Sequence, residues 1–87
     1  MTFSIGYRRK IQKFIERLPA DTKERLRKSI QSLAENPFPQ GVVRVEGYKD
    51  YKVFRICIGD FRILYLVDYT EKFITIINID KRSKVYD

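Results

Sequence analysis

The chain has 87 residues, with 18 Lys or Arg against 11 Asp or Glu and a formal charge of +7. This length accommodates one domain. The absence of histidine, together with a single cysteine, excludes zinc sites, internal disulfides and imidazole catalysis. The longest apolar run, Ile63 to Val67, is far shorter than the ~20 residues of a transmembrane helix. Because the N-terminus has no apolar stretch of signal-peptide length, we expect a cytoplasmic protein.

The first part of the chain is predicted to be helical. Apolar residues spaced i, i+4, i+7, i+8 and i+11 form one stripe: Tyr7, Ile11, Phe14, Ile15 and Leu18. Pro19 ends this helix, and Asp21 with Glu24 resembles a capping box that starts a second helix before Pro37. The short link between the two favours an antiparallel helical hairpin.

The rest of the chain has strand-like patterns. A short strand-compatible segment, residues 2–5, precedes the helices. Segments rich in Val, Ile, Phe and Tyr follow them at residues 42–46, 52–58, 61–68 and 73–79. We therefore predict one α+β domain over residues 1–87, with the N-terminal helical hairpin packed on one face of a mainly antiparallel sheet of four to five strands.

A predicted hairpin turn at residues 59–60 brings two arginines together. With this turn, Cys57 faces Arg62. Arg55 faces Leu64, so Arg55 and Arg62 become diagonal neighbours within ~7–8 Å on one sheet face. Like charges at this distance repel unless an anion or carboxylate lies between them. The pair is therefore either solvated, with Asp60 or Glu46 as partner, or a phosphate-binding site.

Two further basic segments each allow two interpretations. Arg9, Lys13 and Arg17 recur every fourth residue and form what we call the cationic ridge. It is either a solvated helix face or a contact for an RNA backbone. The C-terminal segment is either frayed, or its Tyr86 stacks on a nucleobase or transfers a proton. Cys57 is expected to pack as a small apolar residue.

In chain order, these segments resemble the RelE/ParE superfamily of prokaryotic toxin–antitoxin toxins. The resemblance covers nearly the whole chain and is carried by the two helices, Val-Arg-Val-Glu-Gly-Tyr at residues 43–48, Gly-Asp-Phe-Arg-Ile-Leu-Tyr at 59–65 and Lys-Arg-Ser-Lys-Val-Tyr at 81–86. For the RelE-like branch it implies a metal-independent endoribonuclease that cuts mRNA in the ribosomal A site. It further implies no cofactor and a cognate antitoxin that is acidic and RelB-like.

The resemblance also implies which residues act. The implied catalytic residues are Arg55, Arg62, Arg82 and Tyr86. We predict RNA contacts at Arg9, Lys13, Arg17, Lys52, Lys81 and Lys84. Val53 stands where the family often has a second basic residue. Arg62 and Arg82 would stabilise negative charge on the phosphate, and Tyr86 would act as general base or stack on a base. The leaving oxygen would be protonated by Arg82 or Lys52.

Two other functions share the predicted fold. A ParE-like toxin would inhibit DNA gyrase without nuclease activity, and a non-catalytic relic would only bind RNA or an antitoxin. The match at Arg82 and Tyr86 favours the RelE-like branch.

Overall fold

A computed structural model of the chain describes residues 2–47 and 52–81. In these ranges the elements are β1 (Ser4–Tyr7), α1 (Arg9–Glu16), α2 (Ala20–Gln31), a short 3-10 turn (Ser32–Ala34), β2 (Val43–Val45), β3 (Val53–Ile58), β4 (Phe61–Asp68) and β5 (Phe73–Lys81). The sheet order is β1-β5-β4-β3-β2. The β1–β5 pair is parallel and the other three pairs are antiparallel. Two helices pack on a five-stranded, mostly antiparallel sheet, which confirms the predicted α+β fold.

The helices cover one face of the sheet and form the core with it. Alternate side chains of β4 are buried on this face: Phe61, Ile63, Tyr65 and Val67. Ile11 and Ile15 of α1 and Leu26 and Ile30 of α2 are buried against them. We call the opposite side of the sheet the open face, and there Arg62, Leu64 and Leu66 of β4 are half-buried.

The N-terminal segment differs from its prediction in two places. Tyr7 belongs to β1 rather than to the first helix, because it pairs with Ile76 of β5. The Arg8 N–H also donates to the Ile76 carbonyl at 3.3 Å, so the helix starts only after these sheet hydrogen bonds. The predicted capping box is wrong as well. Pro19 is the N-cap of α2 without a side-chain hydrogen bond, which leaves Asp21 inside the first turn.

A β-bulge interrupts β5 at Ile77. Leu64 pairs with Asn78, whereas the next residue, Tyr65, pairs with Ile76. Ile77 therefore has no partner in β4, and the alternation of inward and outward side chains reverses beyond it. As a result, the residues at the end of β5 face the opposite way from a regular strand.

Two classes of feature are missing from the described ranges. Neither helix there has the length and apolar character needed to cross a membrane. No three His, Cys, Asp or Glu side chains in those residues group together as metal ligands would.

Candidate functional site

The β3–β4 hairpin has the predicted register. Gly59 in the turn has a φ of +58°, a conformation that glycine adopts without steric cost. Cys57 pairs with Arg62. Arg55 pairs with Leu64. Arg55 and Arg62 are therefore diagonal neighbours on the open face, as the sequence predicts.

Two adjacent cross-strand rows on the open face carry the polar groups. They are Cys57–Arg62–Asp80 and Arg55–Leu64–Asn78, and we call these six residues the arginine face. Neighbouring strands lie ~4.8 Å apart, so each row spans about 10 Å. The arginine face thus places Leu64 next to both arginines, across the strand pair from Arg55 and two residues after Arg62.

The two arginines are partly withdrawn from solvent. Arg55 and Arg62 are both half-buried. A cation in such a position interacts more strongly with a bound anion than a fully solvated one does. Cys57, in contrast, is exposed, so the expectation that it packs as an apolar residue is wrong.

The bulge in β5 places Asp80 and Asn78 on the arginine face. The sequence pattern does not predict that either residue belongs to this site. Asp80 is the cross-strand neighbour of Arg62, whereas the sequence suggested Asp60 or Glu46 as acidic partners of the arginines. The Asn78 Nδ2 group donates to Asp80 Oδ2 at 3.2 Å, and Asn78 Oδ1 accepts the N–H of Ile79 at 3.0 Å. These two bonds orient the Asn78 amide and hold the Asp80 carboxylate beside it.

The cationic ridge forms on α1. Its three side chains are exposed and line a cavity of about 530 Å³ together with Lys10 and Phe14. The Phe14 ring meets Phe61 edge-on, with ring centroids 6.1 Å apart. This contact places the ridge over the start of β4, on the helix-covered side of the sheet.

Two further predicted RNA-binding residues do not lie on the arginine face. The Lys52 carbonyl accepts the N–H of Val67 at 3.2 Å, and Lys52 Nζ lies 5.8 Å from the Tyr69 ring centroid. Lys81 pairs with Phe61, which points into the core. Both lysines are therefore on the helix side of the sheet, and their contact with RNA stays a prediction.

Arg82, Lys84 and Tyr86 lie outside the described residues. Their roles in catalysis and RNA binding stay predictions from the sequence.

Comparison with known proteins identifies the family. A family model described as the ParE toxin of the type II toxin–antitoxin system parDE matches residues 5–86. The chain is a RelE/ParE-superfamily toxin. This toxin is 28% identical over 89 residues to a protein from Methanocaldococcus jannaschii described as the toxin RelE1, covering 99% of this chain and 97% of that protein.

Solved structures agree with this assignment. The toxin is 26% identical to a chain in the archaeal RelE–RelB complex from Pyrococcus horikoshii, with a TM-score of 0.83 over 97% of this chain and 99% of that chain. The isolated E. coli RelE toxin, 21% identical, has the same fold, with a TM-score of 0.71 over 97% and 90% of the two chains. The RelE-like architecture expected from the sequence is confirmed.

Proposed function

We propose that this type II toxin is a ribosome-dependent endoribonuclease that cuts mRNA in the ribosomal A site. The observation that supports this activity most directly is the arginine face. Arg55 and Arg62 are half-buried and diagonal to each other, and each guanidinium offers two parallel donors to a phosphodiester. Leu64, next to both arginines, provides an apolar surface for a ribose or a base.

The proposed reaction is an internal transfer at phosphorus. The ribose 2′-OH attacks the adjacent phosphate and loses its proton to a base, while the bond from phosphorus to the 5′-oxygen breaks. The products are a 2′,3′-cyclic phosphate and a 5′-OH, which requires a proton on the leaving oxygen. Negative charge grows on the non-bridging oxygens, where Arg62 and Arg55 would stabilise it without reorganising.

Three further roles are proposed from the resemblance of the C-terminal segment to RelE-like toxins. Tyr86 takes the 2′-OH proton or stacks on a base, and Arg82 adds a third cation. For the leaving oxygen we prefer Arg82 to Lys52. Lys52 Nζ lies over the Tyr69 ring, on the helix side of the sheet, away from Arg55 and Arg62.

The proposed partners follow from charge. The P. horikoshii RelE relative forms a complex with RelB, and we propose that an acidic, RelB-like antitoxin neutralises this toxin. With a formal charge of +7, the toxin would attract such a chain to the arginine face and the cationic ridge. In the cytoplasm the same ridge, with Lys52, Lys81 and Lys84, would contact ribosomal RNA.

A ribosome programmed with a defined mRNA tests the activity. We expect cleavage in the A site, and a rate ~10²–10³-fold lower for Arg62→Ala, the cost of removing one preorganised donor. Tyr86→Phe removes a proposed proton acceptor and is expected to slow cleavage too. Arg25→Ala, an exposed change on α2, is the control and should cleave normally.

Two results would contradict different parts of the proposal. Undiminished cleavage by both Arg62→Ala and Tyr86→Phe would reject the residue assignments but not the activity. Absence of cleavage by the wild-type protein, with DNA breakage and intact translation after induction in cells, would reject the nuclease and support a gyrase inhibitor.

A further inference from the structure

A second cationic cavity lies at the edge of the open face, next to the arginine face. It has a volume of about 410 Å³, within the ~300–1,000 Å³ range of ligand pockets. Its walls are two cations, one amide and three aliphatic side chains: Arg8, Lys10, Asn78, Leu64, Ile77 and Ile11. We call it the edge cavity. Among the described residues that line it, none is acidic.

The topology of the sheet creates this cavity. β1 ends at Tyr7, opposite Ile76 of β5, so β1 does not accompany β5 beyond the bulge. The chain turns at Arg8 into α1, and the exposed side chains of Arg8 and Lys10 lie beside the edge of β5 where Ile77 and Asn78 stand. The cavity therefore depends on the same bulge that reverses the end of β5.

The edge cavity and the arginine face share two residues. Leu64 and Asn78 form part of the row that begins at Arg55, and both also line the cavity. Leu64 follows Arg62 by two positions along β4, a rise of ~7 Å. An RNA strand whose scissile phosphate lies at Arg62 can therefore place its neighbouring nucleotide in the edge cavity.

The chemistry of the walls fits one nucleotide. Arg8 and Lys10 offer donors and positive charge to a phosphate. Leu64 and Ile77 offer an aliphatic surface to the sugar or base. Asn78 is held by its bonds to Asp80 and Ile79, so it acts as a fixed wall rather than as a reader of the base.

We infer that the edge cavity is a subsite for the nucleotide next to the scissile phosphate in the substrate RNA, with Arg8 and Lys10 binding its phosphate. This inference rests on the proposed function, since it takes the arginine face as the cleavage site. The subsite fixes the direction in which the RNA crosses the sheet, from the arginine face over Leu64 towards the start of α1.

Binding of a short RNA tests the subsite without any need for cleavage. The probe is a fluorescent tetranucleotide with a 2′-O-methyl group at every ribose, followed by anisotropy at several salt concentrations. We expect Arg8→Gln/Lys10→Gln to lower the affinity at least about tenfold. The slope of log affinity against log salt should fall by ~0.7, the value for one phosphate that is no longer neutralised on a single strand.

Two variants control for charge and for side-chain identity. Arg25→Gln/Lys28→Gln removes the same charges from exposed positions on α2 and should change the affinity less than threefold. Arg8→Lys/Lys10→Arg keeps both charges and should retain most of the binding. Because Arg8 and Lys10 are exposed, the thermal unfolding midpoint of each variant is expected to match that of the wild-type protein.

The outcomes separate this inference from the proposed function. An equal loss in the α2 control, or no saturable binding by the wild-type protein, would overturn the subsite. A loss of affinity for empty ribosomes but not for the tetranucleotide would also overturn it, because it would assign Arg8 and Lys10 to ribosome docking. The cleavage assay with Arg62→Ala reports on the nuclease activity independently of all three results.

Discussion

Tyr65 joins the middle of the sheet to the segment that follows α2. Its side chain is fully buried, and its hydroxyl donates to the Pro37 carbonyl at 2.6 Å. Burial raises the pKa of the Tyr65 phenol far above its ordinary value, and the neighbouring Tyr69 adds to the rise. The folded protein therefore strongly prefers the neutral phenol at this position.

We predict that the stability of the protein falls above pH 10 because of Tyr65. The folded-state pKa is raised above the unfolded value of ~10, so the contribution is complete below pH 10 and is lost as pH rises towards the folded pKa. The expected loss approaches ~1.4 kcal/mol per pH unit. Urea denaturation of wild-type and Tyr65→Phe proteins between pH 7 and 11 measures this fall in the free energy of unfolding.

The Tyr65→Phe variant should be less stable than the wild-type protein at neutral pH but less sensitive to high pH. At pH 7 it is expected to be ~1–2 kcal/mol less stable, since the partly buried Pro37 carbonyl loses its donor, but its stability should fall less steeply above pH 10. Tyr69→Phe removes only the smaller cause of the raised pKa of Tyr65, so its stability should fall almost as steeply as that of the wild-type protein. Equal slopes for wild-type and Tyr65→Phe would contradict the assignment.

At the scale of elements, the bulge in β5 determines which side chains at the end of that strand face the core and which face outwards. It turns Ile79, only 4% exposed, towards the helices and Asp80 towards Arg62. A shift of one residue exchanges the two faces of a strand. The core and the arginine face therefore both depend on the bulge, which leaves the extra residue Ile77 unpaired.

We predict that deleting Ile77 preserves which side chains face the core. The deletion joins Ile76 directly to Asn78, so Asn78 and Asp80 still face outwards and Ile79 still faces the helices. The variant loses only the half-buried Ile77 side chain, so we expect a cost of ~1–3 kcal/mol, against about 1 kcal/mol for Ile77→Val. Urea denaturation measures both costs, and a deletion variant that loses more than ~4 kcal/mol would show that the bulge conformation itself is needed.

Sequence patterns predict the regular β3–β4 hairpin well, but they do not predict the β-bulge in β5. The alternation in β4 and the glycine in the turn were enough for the register of Arg55 and Arg62, because both are local signals. Tyr7 satisfies a helical stripe and a strand equally, and its pairing with Ile76, nearly 70 residues away, decides between them. Nothing local marks Ile77 as unpaired, so Asn78 and Asp80 could not be assigned to the site.

At the scale of the whole molecule, positive charge occupies two sides of the sheet. Residues 1–41 hold nine basic and four acidic side chains, and the cationic ridge lies on the helix side. The arginine face lies on the open side and carries few cations. This separation suggests that one surface serves docking and the other serves chemistry, so mutations on the two sides should affect different kinetic constants.

We predict that neutralising the ridge impairs binding to ribosomes but not the chemical step. Arg9→Gln/Lys13→Gln/Arg17→Gln should raise KM for programmed ribosomes on the order of tenfold at low salt, because long-range attraction to RNA is weakened. The value of kcat should change little, since these side chains do not face the phosphate.

Lys23→Gln/Arg25→Gln/Lys28→Gln removes the same charge from α2 and should raise KM less. The difference between the two triple variants should shrink as salt screens it. A fall in kcat for the ridge variant would instead place the ridge at the reacting RNA, whereas equal KM values for both variants would reduce its role to net charge.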